Sequence, residues 1–507
     1  MKKIFSTLAA IALSVTLFAQ TSQDAIKYSQ NFYEGSARTV AMGNAFTALG
    51  GDLGSLAINP AASGIYRYSE VFIAPSLSFN NSSVNYLSTK KDDNITRFGL
   101  SGLGVVFATN PKYHKKGDAT FNFAFAINKV NDFSHRMSVS GETDKSSWLS
   151  SLANNISGIH AKSMDITNTY DPFRRSSAPW RAILAWNSNL LDTLPDSGRD
   201  YKAATENLSG LNIVIGGPLR QNFVRESTGN VSEAIINMGG KISDNLFIGF
   251  NLGLQSLSYD DYQQYSEKAV NPANFTSKFS EFKHTYRQKT TGVGINIKAG
   301  IIALPADGLR IGASVSTPTW YAMNDEWDET IFAAYSDGYT IPISSPIGEY
   351  NYNLSTPLRL NAGIAYTFGS YGLISADYEF VDYSMARLRS NGDKTAFNFE
   401  NDQIKNNYKA VNNARLGIEI KPMQGFAVRG GYSYYQNPDK NAGSDLHYVS
   451  AGLGFIGKSG VFADFALQRR LSTEDFKLYS DAGSQRAPIG TLDDSRIKFM
   501  FTIGFRF

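Results

Sequence analysis

A chain of 507 residues with no cysteine and a formal net charge of +3 excludes a disulfide framework, a thiolate metal site and a lipid-anchoring cysteine behind a leader. Charges of both signs are interspersed, which excludes a nucleic-acid-binding arm and an acidic tail. Aromatics reach 13% of residues while mean hydropathy is only -0.24, a pairing that suits a membrane barrel, where alternate strand residues meet lipid, but that a large secreted solenoid or sandwich shares.

In chain order, Lys2 and Lys3 precede an apolar run from Ile4 to Phe18 that ends at Ala19. This predicts a secretory signal over 1–19. No later stretch approaches the ~18 uninterrupted apolar residues that a spanning helix needs. Export without such a helix leaves the periplasm, secretion or the outer membrane. The next region, 20–68, is rich in small residues: Ala37, Val40, Ala41, Ala45 and Phe46 recur at helical spacing. Gly50-Gly51-Asp52 and Asn59-Pro60-Ala61 supply turn chemistry. Such a compact segment predicts a plug inside a barrel spanning 69–507.

The strand signal is clearest at the end. Ile497, Phe499, Phe501, Ile503, Phe505 and Phe507 alternate with Lys498, Met500, Thr502, Gly504 and Arg506, which gives one apolar and one mostly polar face. The same rule predicts strands near 69–80, 97–109, 119–133, 230–242, 245–260, 282–303, 307–320, 350–368, 371–389, 407–421, 425–436, 446–457, 460–472 and 494–507. Their connections alternate in length. Long ones fall near 81–96, 134–229, 261–281, 321–349, 390–406, 437–445 and 473–493, with short turns between. Outer-membrane barrels place short turns in the periplasm and long loops outside, so the expectation is an all-β, 14-stranded antiparallel transmembrane β-barrel. An even strand count puts both termini in the periplasm.

Two stretches break the pattern. The third strand alternates through Phe121, Phe123, Phe125 and Ile127, then loses alternation from Asn128 to Asp132; an inward kink and a simple exit from the membrane both fit. The 134–229 insertion is too long for an ordinary loop. Trp148, Leu149, Leu152, Ile156 and Ile159 fall on one helical stripe, and Ser177 with Pro179 starts a second helix carrying Trp180, Ile183 and Leu184. This predicts a partly helical extracellular lobe. Its apolar residues either form a ligand-capture groove or pack the lobe on itself.

Gly35-Ser36-Ala37-Arg38, Ala41-Met42-Gly43-Asn44-Ala45-Phe46-Thr47-Ala48 and Asn59-Pro60-Ala61 resemble the hatch of FadL-type hydrophobic-compound transporters, and the terminal Phe507 resembles the assembly signal of outer-membrane barrels. The resemblance covers the mature chain in architecture and is specific in sequence at the hatch and last strand. It implies a fourteen-stranded barrel, plugged by an N-terminal hatch, that imports long-chain fatty acids or aromatic hydrocarbons. In that family the Asn-Pro-Ala segment lies against a wall gap made by the third strand's kink, which assigns Asn59, Pro60 and Ala61 to gating. The bare alternative for any Asn-Pro is an ordinary turn.

The expected function is therefore passive uptake of hydrophobic small molecules: capture at Trp148, Leu149, Leu152, Ile156, Trp180, Ile183 and Leu184, passage past the hatch, and lateral release into outer-membrane lipid. A FadL-like barrel serving a secretion system as a non-transporting component is the alternative, and a plain diffusion porin is a third reading. Arg359, Arg415 and Arg429 on the polar face are candidates to meet a substrate carboxylate, although mixed-sign interior ladders commonly hold a barrel to its plug. The five histidines, His114, His135, His160, His284 and His447, have no metal-ligand spacing. No catalytic set, cofactor, metal or nucleic-acid partner is expected, the barrel-assembly machinery is expected to read Phe507, and the chain is expected to act as a monomer.

Overall fold

The computed structural model describes residues 21–109, 119–195, 197–210 and 212–507; the predicted leader and His114 lie outside them. Alternating apolar residues build a closed antiparallel barrel. Its strands are β1 (Glu70–Tyr86), β2 (Thr89–Phe107), β3 (Thr120–Asp132, continued as His135–Thr143), β4 (Leu219–Ser243), β5 (Leu246–Ala269), β6 (Phe279–Ala306) and β7 (Leu309–Ser316 and Trp320–Tyr335). They are followed by β8 (Gly348–Ser355 and Arg359–Thr367), β9 (Gly372–Asp382 and Arg387–Arg389), β10 (Ala410–Met423), β11 (Phe426–Tyr435), β12 (Leu446–Ile456), β13 (Val461–Lys477) and β14 (Ile489–Arg506). Each pairs with the next, and β1 closes on β14 through Val71↔Phe505 and Leu77↔Phe499.

The outward positions carry the apolar half of each pattern. Phe121, Phe123 and Phe125 on β3, Phe250, Leu252 and Leu254 on β5, and Phe499, Phe501, Ile503 and Phe505 on β14 are all exposed, while Lys498, Met500 and Thr502 are buried inside. A closed wall with an apolar outer band belongs in lipid. Among the described residues no helix is long and apolar enough to cross a membrane.

Several of the long loops predicted from the sequence are strand instead. β1 and β2 run on to a two-residue turn at Leu87-Ser88, both with positive φ, where a loop over 81–96 was expected. Above the apolar band the outward residues become polar (Asn81, Ser83, Asn85; Lys90, Asp92, Asn94), so the hydrophobic alternation stops while the backbone ladder continues. β5, β6, β7, β13 and β14 extend in the same way.

Residues 21–66 lie in the lumen as short helices, α1 (Ser22–Ser29), α2 (Ala37–Ala41) and two 3-10 turns, Leu53–Ala57 and Pro60–Ile65. The wall gives them room through inward glycines: a Cβ on Gly300 would strike Asn59, and one on Gly431 would strike the backbone of Met42 and Gly43. At the long-loop end, residues 144–218 form a lobe with α3 (Trp148–Asn155), α4 (Pro172–Arg175) and α5 (Trp180–Asn187). A sixth helix, α6 (Asn398–Asn407), lies against α1, joined by a Ser22–Gln403 hydrogen bond.

Candidate lateral opening at the third strand

β3 begins as an ordinary wall strand. Through Ile127 its residues alternate, but Asn128, Lys129, Val130 and Asn131 are all buried in succession, which a regular strand between lipid and lumen cannot do. The register against β4 slips between Lys129 and Asn131. The ladder to β4 resumes after the slip, and local bonds fix the bend: Asn131 Oδ1 accepts from the Asp132 N–H at 2.8 Å, and Asp132 Oδ1 from the Ser134 N–H at 3.0 Å. Short polar side chains favour such turns over strand.

Beyond the bulge, β3 bends into the lumen. Inward side chains of β1 and β14, beyond its wall neighbours, bind its backbone: Asn80 donates to the Ser134 carbonyl at 2.8 Å, Ser82 to that of Arg136 at 2.6 Å, and Arg496 to that of Ser134 at 2.7 Å. Of the two readings the sequence allowed at 128–132, the inward kink is the one observed. Pairing between β2 and β3 consequently stops at Gly102↔Asn128.

The result is an interruption of the wall. A cavity of about 410 Å³ is lined by lumen-facing Ser76 and Ser78, by outward Phe98 and Leu100, and by Lys129, Asp132, Asn230 and Ser232. Because the β2–β3 ladder is missing at this level, lining residues from both faces place the cavity across the sheet. An unpaired strand edge facing hydrocarbon costs several kcal/mol per group, so the polar lining is what makes the gap tolerable. Further out, side chains stand where backbone pairing is missing: Arg97 of β2 reaches Glu226 of β4 at 3.1 Å, and Arg136 lies 3.6 Å from Glu226 and 3.3 Å from Asp93.

The lumenal side of the gap is closed by the plug. The Phe32 N–H donates to the Val130 carbonyl at 2.6 Å and the Glu34 N–H to that of Lys129 at 2.9 Å. Glu34 accepts from Ser101 at 2.6 Å and from Lys498, with Lys129 3.9 Å away. Burial alone would raise the Glu34 carboxyl; Lys498 and Lys129 outweigh it and hold it below the ordinary carboxylate range. A Cβ on Gly102 would lie 2.6 Å from the Gly35 carbonyl oxygen, so wall and plug are in backbone contact here. Phe133, at the apex of the kink, meets Tyr28 of α1 edge-on at 5.9 Å and Tyr259 of β5 at 5.4 Å.

One expectation about site residues is corrected, and two that stood with alternatives are given their surroundings. Asn59, Pro60 and Ala61 do not face the kink. Asn59 donates to the carbonyls of Thr47 at 2.6 Å and Ile301 at 3.2 Å, and Asn237 donates to that of Pro60 at 2.9 Å. The motif therefore seats the plug on β4–β6; Asn59 caps the following turn through the Ala61 N–H at 3.0 Å. Pro60 suits that turn's first position because its missing N–H is one that needs no partner there.

Leu149, Leu152, Ile156, Ile183 and Leu184 are buried together in the lobe, as is Trp148, which stacks on Tyr265 at 5.8 Å and His284 at 5.2 Å. Trp180 packs on Trp327 at 5.4 Å. These residues are the lobe's own core, fastened to the outer ends of β5–β7, rather than an open groove.

The three lumen arginines are occupied. Arg359 pairs with Glu379 at 3.2 Å and reaches the Ser29 carbonyl, Arg415 takes Glu379 at 3.4 Å and Asn361 at 2.7 Å, and Arg429 holds Glu419 at 2.7 Å and Asp464 at 2.5 Å. Arg38 of α2 joins the last group at 3.0 Å from Glu419. Their work is to hold the wall and plug together. The residues at the opening that sequence reasoning passed over, Phe32, Glu34, Arg97 and Glu226, carry no motif; only the lost alternation at 128–132 pointed to their neighbourhood. Among the described residues no group of three or more His, Asp or Glu is placed to hold a metal ion.

No family model and no curated protein matches the sequence. Solved structures do. A Pseudomonas aeruginosa FadL homologue shares 10% identity with a TM-score of 0.55, and the alignment covers 94% of this chain and 99% of that one. The toluene transporter TodX of P. putida gives 14% identity and a TM-score of 0.53, and the Ralstonia pickettii toluene transporter TbuX 14% and 0.50, each with 94% of this chain and 99% of the other covered. At such identities the likeness is one of fold, and the chain carries the FadL-type fold, a fourteen-stranded barrel around an N-terminal plug.

Proposed function

We propose that the chain is an outer-membrane channel for passive uptake of small hydrophobic molecules and that these leave sideways, between β2 and β3, into the membrane. The observation that carries this reading is the gap at the kink of β3, which joins lumen to lipid-facing surface and whose inner side is held by the plug segment Phe32–Gly35. A greasy solute gains about 0.8 kcal/mol per CH2 by entering hydrocarbon rather than water, so a sideways exit needs no other driving force. The short-turn end, which carries both ends of the barrel, is read as periplasmic and the lobe as extracellular. Long-chain fatty acids and monoaromatic hydrocarbons, the latter named for two of the structural neighbours, are the substrates to try first.

The chain has no cysteine, which makes cross-linking clean. A Gly99→Cys/Lys129→Cys pair, set on the two sides of the gap, should lower uptake of oleate or toluene at least tenfold when bridged by a reducible bismaleimide and restore it when the bridge is reduced. Uptake that continues unchanged through a bridged, folded barrel would overturn lateral release.

A further inference from the structure

A second irregularity of the wall, well away from the kink, lies where three adjacent strands break at one level. β7 is interrupted at Thr317-Pro318-Thr319, β8 at Thr356-Pro357-Leu358 and β9 at 383–386. The two prolines remove ladder donors, and Thr319 and Thr356 patch the break with bonds of 2.8 and 3.0 Å to each other. On the outer surface just above it, the small residues Ala322 and Ser355 form the floor of a cavity of about 530 Å³. Leu254, Val293, Ile295 and Trp320, all exposed, form its apolar side, and Asn353 and Arg389 its polar end.

The height of this groove is set by the register. Ile295 pairs with Trp320 and Trp320 with Ser355; one step further out, Ala322 faces Asn353 and Asn353 faces Arg389. Below are Ile297 and Ile301 of the lipid band; above, the outward positions turn to Glu326, Glu349 and Lys289. A tryptophan at such a boundary sits at headgroup level, so the groove spans the change from hydrocarbon to headgroup. Arg389 is exposed and forms no ion pair among the described residues. Arg387, two residues along the same row, gives its guanidinium only to the carbonyls of Ser384 and Ala386, both at 2.7 Å. The wall carboxylates nearest along β7 and β8, Glu326 and Glu349, are four residues further out, about 13 Å at strand spacing.

From this we infer that the groove on β6–β9 is a binding site for a membrane lipid with an anionic phosphate headgroup. The acyl chain lies against Leu254 and Ile295, level with Trp320, and runs down toward Ile297, and the phosphate meets Arg389, whose planar fork suits it, with Asn353 beside it and Val293 at the same height. Apolar walls alone would fit any lipid; the unpaired guanidinium at headgroup height selects the anionic one. The inference depends on the barrel sitting in a membrane and not on what it transports.

The test uses the full-length protein in detergent micelles holding equal phosphatidylglycerol and phosphatidylcholine of identical chains, with retained lipid read by native mass spectrometry. Wild type should keep phosphatidylglycerol at least fivefold over phosphatidylcholine. Arg389→Gln should abolish the preference, and Ala322→Trp, which fills the groove, should remove retained lipid of both kinds, with heat-modifiable gel migration showing that both variants are folded. Equal retention of the two lipids by wild type, or undiminished phosphatidylglycerol in both folded variants, overturns the site. Displacement of the lipid by excess inorganic phosphate also overturns it, because the groove would then hold an anion rather than a lipid.

Discussion

The backbone N–H of Phe32 donates to the Val130 carbonyl at 2.6 Å, so the plug is bonded to the third strand at the point where that strand leaves the wall. Glu34, two residues on, ties the same place to β14 through Lys498. Glu34→Ala leaves Lys498 buried without its nearest carboxylate, a change that costs about 3–5 kcal/mol when one partner of a buried pair is removed. The variant should fold, unfold at a lower temperature on heat-modifiable gels, and conduct ions better in planar bilayers. Unchanged conductance would separate Glu34 from the seating of the plug.

Gly300→Val probes the opposite seat of the plug. Its added Cβ would overlap Asn59, while its outward neighbours Ile297 and Ile301 keep the lipid face intact. Barrel assembly should survive and the plug should become sensitive to added protease, with cleavage near 50–60 read by mass spectrometry.

The charged group above the gap should behave as a weak clasp. Arg97, Arg136, Glu226 and Asp93 are partly exposed, so each pair is worth at most ~1 kcal/mol and is screened at high salt. Glu226→Gln should raise hydrogen exchange along the outer part of β2 and β3 several-fold in low salt. In 1 M salt wild type and variant should converge.

Trp148 tests whether the lobe is structural. Trp148→Ala removes a buried ring stacked on Tyr265 and His284 and should cost the lobe about 3–5 kcal/mol, seen as faster proteolysis within 144–218. Trp148→Phe keeps most of the packing. It should leave uptake within about twofold of wild type, whereas a larger loss with an intact lobe would return this residue to ligand capture.

Asp481 gives a pH dependence outside the membrane. The Lys477 ammonium at 2.9 Å, the Ala487 N–H at 2.9 Å and Arg486 at 3.1 Å bring its carboxyl down to about 2. With the folded value below the unfolded one, its contribution is complete above the ordinary carboxylate range and disappears as pH falls through about 2. Pepsin should therefore spare the 478–488 loop of wild type at pH 3 and cut that of Asp481→Asn. Equal cutting at pH 3 would contradict the assignment.

The barrel itself was legible in the sequence. Period-two alternation such as Phe499, Phe501, Ile503 and Phe505 states which side of a strand meets lipid, and the alternation of short and long connections then orders the strands. A local rule sufficed because every wall residue faces either lipid or lumen. The extent of β1 and β2 was not legible, since above the band the outward residues are polar and the ladder persists without a hydrophobic mark.

The site was decided only by the tertiary structure. Asn128–Asp132 announced a disturbance, but its inward direction depends on Asn80, Ser82 and Arg496, side chains of strands remote in sequence. Arg359, Arg415 and Arg429 were read correctly as inward-facing, and only their partners show them occupied. Trp148 and Leu149 bury the same apolar surface whether they close on a ligand or on Tyr265 and Phe282. Composition records that such residues must be covered; only packing decides by what.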